Sequence, residues 1–130
     1  PFLGVDGWDD PGLFELAGPA MKGNFVCNHF DPGDPEAVVQ DFVRKFVEKY
    51  KLKPSAMAAL GYDALYAVAD AVNRAQELKP EAIKDAVNSI KGLKGVCGIM
   101  TMGPDREVNK NAVVLETGET GFKYRETIKP

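Results

Sequence analysis

The sequence predicts an α/β fold from three observations. Strand, helix and strand patterns follow one another before Asp31, and this succession has the size of one parallel βαβ unit. Amphipathic helical patterns fill the middle of the chain, and alternating strand patterns with turn residues end it. With 130 residues, 45% hydrophobic and 27% charged, the chain has the length and composition of one globular domain with a hydrophobic core.

Charge and hydropathy exclude several function classes. The net charge is −3 and the isoelectric point about 5.2, and no basic stripe is present, which disfavours nucleic-acid or anionic-membrane binding. The apolar runs are too short for a transmembrane helix. The chain begins with Pro1 and no signal-peptide pattern follows, so we expect that a targeting signal has been removed or that the chain is a piece of a longer one.

The first unit consists of two strands and a helix. Leu3–Val5 reads as a short strand, and Asp10 and Pro11 read as the N-cap and first residue of a helix that stops near Gly18. Asn24–Phe30 then reads as the second strand.

The segment Asp31–Pro35 is the best candidate for a linker or crossing. Three helices are predicted after it. Asp34 and Pro35 should start the first, whose apolar face carries Val38, Val39, Phe42, Val43, Phe46, Val47 and Tyr50. Ser55 should cap a long alanine-rich helix. A further helix should begin at Pro80 and stop at Gly92.

The end of the chain is predicted to be β structure. Val96–Met102 reads as one strand, followed by a loop over Gly103–Glu107. Ala112–Glu116 and Phe122–Ile128 read as a hairpin joined by a glycine-containing turn.

Asp6, Gly7 and Trp8 are the candidate ligand-binding residues. Asp6 follows a strand that feeds a helix, and ligands bind at the carboxyl ends of strands in open α/β sheets. A carboxylate there, followed by flexible Gly7, can accept charge-assisted hydrogen bonds from an ammonium group. Trp8 could wall the ligand. The structural alternatives are a solvated turn for Asp6 and packing for Trp8.

No catalytic, cofactor or metal site is predicted. The sole histidine, His29, has no flanking nucleophile motif and is interpreted as a surface or interface residue. Asp9 and Asp10 beside Asp6 lack a calcium-loop spacing. Tyr62 and Tyr66 share a helix face, which indicates packing or, alternatively, a cleft. Cys27 and Cys97 are interpreted as two buried thiols, with a disulfide as the alternative if the chain is exported.

Three segments in order resemble a known family. They are Phe2–Asp9 (FLGVDGWD), Ser55–Ala64 (SAMAALGYDA) and Lys94–Met102 (KGVCGIMTM). They are similar to segments in the last part of the branched-chain amino-acid binding proteins, which are extracytoplasmic solute-binding proteins of ABC importers with the type I periplasmic binding fold. The likeness runs across essentially the whole chain.

The resemblance implies that this chain is the C-terminal part of a two-lobed, Rossmann-like α/β protein. Residues 1–30 would be a βαβ segment of the second lobe, residues 31–111 helices and a strand of the first lobe, and residues 112–130 a hairpin that returns to the second lobe. Asp6 matches the acidic residue with which family members hold the ammonium of an amino acid. The hydroxyl residues that hold the carboxylate would lie outside this chain. The implied partners are a small amino-acid ligand and an ABC permease, and the implied location is periplasmic or extracellular, lipid-anchored or secreted.

Two other functions remain open at this point. The same fold could serve as the ligand-sensing domain of a receptor or regulator that binds an amide, urea or an aliphatic acid. An α/β enzyme that uses Asp6 and His29 ranks last. For the chain alone we also expect self-association, because strands without their sheet partners leave unpaired edges.

Overall fold

The computed structural model describes residues 1–129, which form two β-sheets and four α-helices. The first sheet contains β1 (Leu3–Gly4), β2 (Phe25–Asn28), β6 (Ala112–Thr117) and β7 (Phe122–Ile128), in the order β1-β2-β6-β7. The second contains β3 (Leu93–Gly95), β4 (Gly98–Met102) and β5 (Val108–Asn109), in that order. The predicted α/β class is therefore confirmed.

The helices are α1 (Pro11–Ala17), α2 (Ala37–Tyr50), α3 (Ala56–Arg74) and α4 (Pro80–Asn88). Short 3-10 helices cover Asp6–Trp8 and Gly18–Met21. Among residues 1–129, no helix combines the length and apolarity needed to cross a membrane.

The first unit is the predicted parallel βαβ arrangement. β1 pairs with β2 in parallel, with Gly4 opposite Val26, and α1 connects them. Asp10 caps α1, since its Oδ1 accepts the Gly12 N–H at 2.7 Å, and Pro11 is the first helical residue. Both strands are shorter than predicted. β2 begins only after Asn24. The buried side chain of Asn24 donates hydrogen bonds to the carbonyls of Ala20 and Met21, in the turn before the strand.

The predicted start of α2 is wrong by two residues. The helix begins at Ala37, with Glu36 as its N-cap residue. Asp34 does not cap it, because its Oδ1 accepts the Glu36 N–H at 3.0 Å in a local turn before the helix. Of the predicted apolar face, Val39 and Phe42 are buried, while Val38, Val47 and Tyr50 are exposed.

The starts of α3 and α4 are confirmed. Ser55 Oγ accepts the Ala58 N–H at 3.3 Å, and Pro80 is the first residue of α4. α4 ends at Asn88, before the predicted stop at Gly92, which adopts a positive φ of 66° at the turn into β3.

The prediction of one strand over Val96–Met102 is wrong. Only Gly98–Met102 of this segment is a strand (β4), because Val96 and Cys97 form a turn that joins β4 to the antiparallel strand β3 before it. Buried Asp63 on α3 makes this turn, because its two carboxylate oxygens accept the Val96 N–H at 2.8 Å and the Cys97 N–H at 2.7 Å. The approach is so close that a Cβ at Gly95 would come within 2.6 Å of the Asp63 carboxylate.

The C-terminal hairpin is confirmed. β6 and β7 pair antiparallel from Thr117–Phe122 to Ala112–Ile128, and β6 also pairs antiparallel with β2. The last strands of the chain thus complete the sheet that the first strands begin.

Two hydrophobic clusters hold these layers together. The larger joins α2, α3 and the β3–β4 turn, and the smaller covers the first sheet, with Trp8 and residues of β7 packed against it. The buried members of the larger cluster are Phe30, Val39, Phe42, Ala56, Ala59, Val96 and Cys97. Those of the smaller cluster are Val26, Val113 and Leu115.

The expectation of two buried thiols is half wrong. Cys97 is buried, but Cys27 is exposed, and neither forms a disulfide. The reason is the alternation along β2, where Val26 and Asn28 point inward and Cys27 between them points outward.

Candidate ligand-binding site

Asp6 and His29 meet at one edge of the first sheet. Asp6 follows β1 and His29 follows β2, and because these strands are parallel their carboxyl ends lie at the same edge. The Asp6 Oδ2 lies 3.3 Å from the His29 Nε2. The two residues therefore form a carboxylate–imidazole pair at the position where α/β sheets bind ligands.

This pair remains open to further partners. The side chains of Asp6 and His29 are 38% and 34% exposed. The backbone N–H of His29 donates a hydrogen bond to the Oδ1 of buried Asn28 at 2.8 Å, which fixes the backbone at this position. Asp6 can therefore accept a further charge-assisted hydrogen bond from an approaching cation.

Trp8 packs on the backbone of β1. A Cβ at Gly4 would meet the indole Cδ2 at 2.4 Å, so the ring lies directly on this glycine. The indole also packs against the small cluster that contains Val26 and Leu115. This packing fixes the 3-10 turn that carries Asp6. The indole is half-buried, so part of it remains accessible to a ligand.

The other side of this turn is tied to α3. The Asp9 Oδ2 accepts the Ala56 N–H at the start of α3, at 2.7 Å. Asp9 thus serves as a cap from outside the helix. Gly7 lies between these anchors, and a Cβ there would meet no heavy atom within 4 Å, so its surroundings are open.

His29 also lines a cleft of about 600 Å³ between the C-terminal hairpin, the β3–β4 turn and the segment before α2. Asp6, Gly7 and Trp8 do not line this cleft. Of these three residues, Asp6 contacts a residue that does line the cleft, namely His29.

Two ionisable groups in the cleft wall have altered pKa values. Burial raises the pKa of the Asp31 carboxyl above 3.8, against the opposing effect of the Gly33 N–H that donates to it. Burial, with the nearby Asp63 carboxylate, raises the pKa of the Cys97 thiol to about 12. Cys97 therefore remains a protonated, unreactive thiol at neutral pH.

Sequence reasoning interpreted His29 as a surface or interface residue and placed it together with Asp6 only in the last-ranked enzyme alternative, without predicting their ion pair. A signal was present, because both residues follow strands of a predicted parallel βαβ unit. The tyrosines of α3 are both exposed, and each makes an aromatic contact. Tyr62 contacts Phe42 with ring centroids 5.0 Å apart, and Tyr66 stacks on Tyr62.

Comparisons with known proteins identify the family of the chain. The family model described as periplasmic binding protein matches residues 2–121. The chain therefore belongs to the periplasmic binding protein family, whose members are extracytoplasmic. No curated protein matches the chain.

Solved structures give the same class with more detail. The leucine binding protein LivK of Thermotoga maritima is 30% identical, with a TM-score of 0.88 over 99% of this chain and 37% of that one. LivJ of Streptococcus pneumoniae, a branched-chain amino acid transporter substrate binding protein solved with isoleucine, is 26% identical, with a TM-score of 0.85 over 100% of this chain and 37% of that one.

A solute binding protein of R. palustris solved with benzoate is 22% identical, with a TM-score of 0.79 over 100% of this chain and 36% of that one. At that identity the likeness shows the fold alone. The chain spans just over a third of the length of each of these proteins. The predicted resemblance to branched-chain amino-acid binding proteins of ABC transporters is thereby confirmed.

Proposed function

We propose that this chain is part of the extracytoplasmic solute-binding component of an ABC importer, and that it binds an amino acid of branched-chain type, or a related small amine, between two lobes. The observation that carries the proposal is the position of Asp6. It places a partly exposed carboxylate after β1, beside the end of a parallel neighbour strand. The leucine and isoleucine named for the similar proteins are ligands with an ammonium group, which is the group a carboxylate recognises.

The proposed mechanism is closure of two lobes on the ligand rather than chemistry. We assign residues 1–30 and 112–130 to one lobe, on the support that their strands share the first sheet. Residues 31–111 are assigned to the other lobe, on the support that they hold α2–α4 and the second sheet. The segment from Asp31 to Pro35, one of the connections between these groups, would then act as a crossing.

The turn that holds Asp6 is built to keep its geometry during closure. The Trp8 ring rests on Gly4, within the lobe to which Asp6 itself is assigned. A carboxylate on a rigid turn loses less conformational entropy when it binds its ligand. Gly7 leaves room beside it for the ligand, and Trp8 would form part of the wall.

Binding fits the Asp6–His29 geometry better than catalysis. An enzyme with this pair would need a nucleophile in hydrogen-bond contact with the imidazole. Within residues 1–129, the imidazole contacts the Asp6 carboxylate, and no hydroxyl or thiol forms a hydrogen bond with it. We therefore propose that the protein is not an enzyme, and that its macromolecular partner is the permease.

Calorimetric titration of the complete two-lobed protein with leucine, isoleucine and valine tests this proposal. Asp6→Ala should weaken binding by about 3 kcal/mol or more, because the ligand's ammonium would be left buried without its counter-charge. Asp6→Asn, which keeps the shape but not the charge, should lose most of the affinity as well. Asp105→Asn, an exposed loop carboxylate, is the matched control and should bind like the wild type. Unchanged affinity in Asp6→Ala would show that this residue does not hold the ligand.

A further inference from the structure

The proposed function leaves the role of His29 open. Its imidazole Nε2 lies 3.3 Å from the Oδ2 of Asp6, the carboxylate that is proposed to hold the ligand. The side chain is partly exposed on the other side, where it lines the cleft. A histidine in this position is placed to act on the ligand through Asp6.

We propose that His29 is a positioning residue whose protonation sets the affinity of the site for an ammonium ligand. This inference rests on the proposed function of Asp6. When the imidazole is neutral, its Nε2–H can donate to Asp6 and orient the carboxylate while leaving its full negative charge for the ligand. When the imidazole is protonated, it forms an ion pair with Asp6 and competes with the ligand for the same charge.

The two cations cannot share the carboxylate without cost. The ligand's ammonium would lie beside the imidazolium, and like charges repel more strongly as a closing cleft removes water from between them. Ligand binding therefore disfavours the imidazolium. Histidine changes its charge between about pH 5 and pH 8, whereas the ammonium of an amino acid stays charged over that range. Affinity should consequently fall on acidification.

Within the described part of the chain, His29 has one ion-pair partner and lines a cleft whose walls carry charges of both signs. Among residues 1–129, Asp6 is the one acidic side chain within ion-pair distance of His29. The walls of the cleft that His29 lines carry further charges of both signs from the segment before α2, from β3 and from the end of the chain: Asp31, Asp34, Glu36 and Glu126 are acidic, and Lys94, Arg125 and Lys129 are basic. The competition at Asp6 is therefore assigned to His29.

Three proteins that differ at one position separate the charge of His29 from its shape. The complete two-lobed protein is titrated with isoleucine at pH 7.5 and pH 5.5. The wild type should bind about three- to tenfold more weakly at the lower pH. His29→Gln keeps a donor for Asp6 but stays neutral, so its affinity should be high at both pH values. His29→Lys carries a fixed charge, so its affinity should be low at both.

Proton release gives a second readout that needs no variant. Near the midpoint of the affinity change, wild-type binding should release a fraction of a proton, measured as a difference in binding heat between two buffers of different ionisation enthalpy. His29→Gln should release none. A residue with a structural role alone would move neither the pH profile nor the proton count.

The outcomes separate the two hypotheses. Binding that depends on Asp6 but is equally strong at both pH values, without proton release, would overturn the role of His29 and leave the proposed function intact. A wild-type pH dependence that persists in His29→Gln would also overturn it, since another group would then be responsible. Absence of amino-acid binding at either pH would contradict the proposed function itself.

Discussion

Removal of the Asp63 carboxylate should destabilise the chain more than removal of any surface carboxylate. Asp63 is 2% exposed, and its two oxygens accept the buried N–H groups of Val96 and Cys97 at 2.8 and 2.7 Å. A buried donor left without a partner costs about 1–3 kcal/mol. Asp63→Ala leaves two such donors, so the free energy of unfolding should fall by about 2–6 kcal/mol.

Asp63→Asn should fall between this variant and the wild type. Its amide keeps one acceptor oxygen but turns an NH₂ group toward the second N–H, so about 1–3 kcal/mol should be lost. Asp85→Asn is the matched control. Asp85 lies on α4 in a surface ion pair with Lys84, and such pairs contribute less than about 1 kcal/mol.

Urea denaturation followed by circular dichroism measures these differences. The expected order of unfolding free energies is wild type and Asp85→Asn, then Asp63→Asn, then Asp63→Ala. If Asp63→Ala unfolded at the same urea concentration and with the same slope as the wild type, the explanation of the β3–β4 turn would be refuted. The turn forms one wall of the cleft that His29 lines. Asp63→Ala should therefore alter the shape of this cleft as well as lower the stability.

Two further predictions follow from the pKa values. Burial raises the pKa of the Asp31 carboxyl, so ionisation of this carboxyl opposes folding. The protein should therefore be most stable, as far as Asp31 is concerned, below the ordinary pKa of 3.8. That stability is lost as the pH rises through the raised pKa of the folded state. Asp31→Asn should therefore raise the thermal midpoint at pH 7 but by less at pH 4, and an advantage that grew on acidification would contradict the sign. A thiol-specific reagent at pH 8 should label exposed Cys27 rapidly and Cys97 only on unfolding, because the pKa of Cys97 is about 12. Rapid labelling that survived in Cys27→Ser would count against the burial of Cys97.

The features predictable from sequence were those with local causes. Asp10 and Ser55 cap helices through N–H groups within three residues of themselves. The glycine-containing turn between β6 and β7 likewise specifies its hairpin within a few residues. Such patterns are visible without knowledge of the rest of the fold.

The features that sequence reasoning missed depend on distant residues. The split between β3 and β4 requires Asp63, which lies 33 residues before Val96, and nothing near the turn marks its acceptors. The anchoring of the Asp6 turn on α3 joins Asp9 to Ala56, 47 residues apart. The pairing of Asp6 with His29 was within reach of the predicted parallel strands, because residues after neighbouring parallel strands share an edge.

A crystal structure of the complete two-lobed protein with bound isoleucine tests the central claim most directly. We expect the ligand's ammonium nitrogen within about 3 Å of an Asp6 carboxylate oxygen, the distance of a charge-assisted hydrogen bond, with His29 on the same carboxylate. An ammonium held by other residues, with Asp6 turned toward bulk water, would contradict the claim.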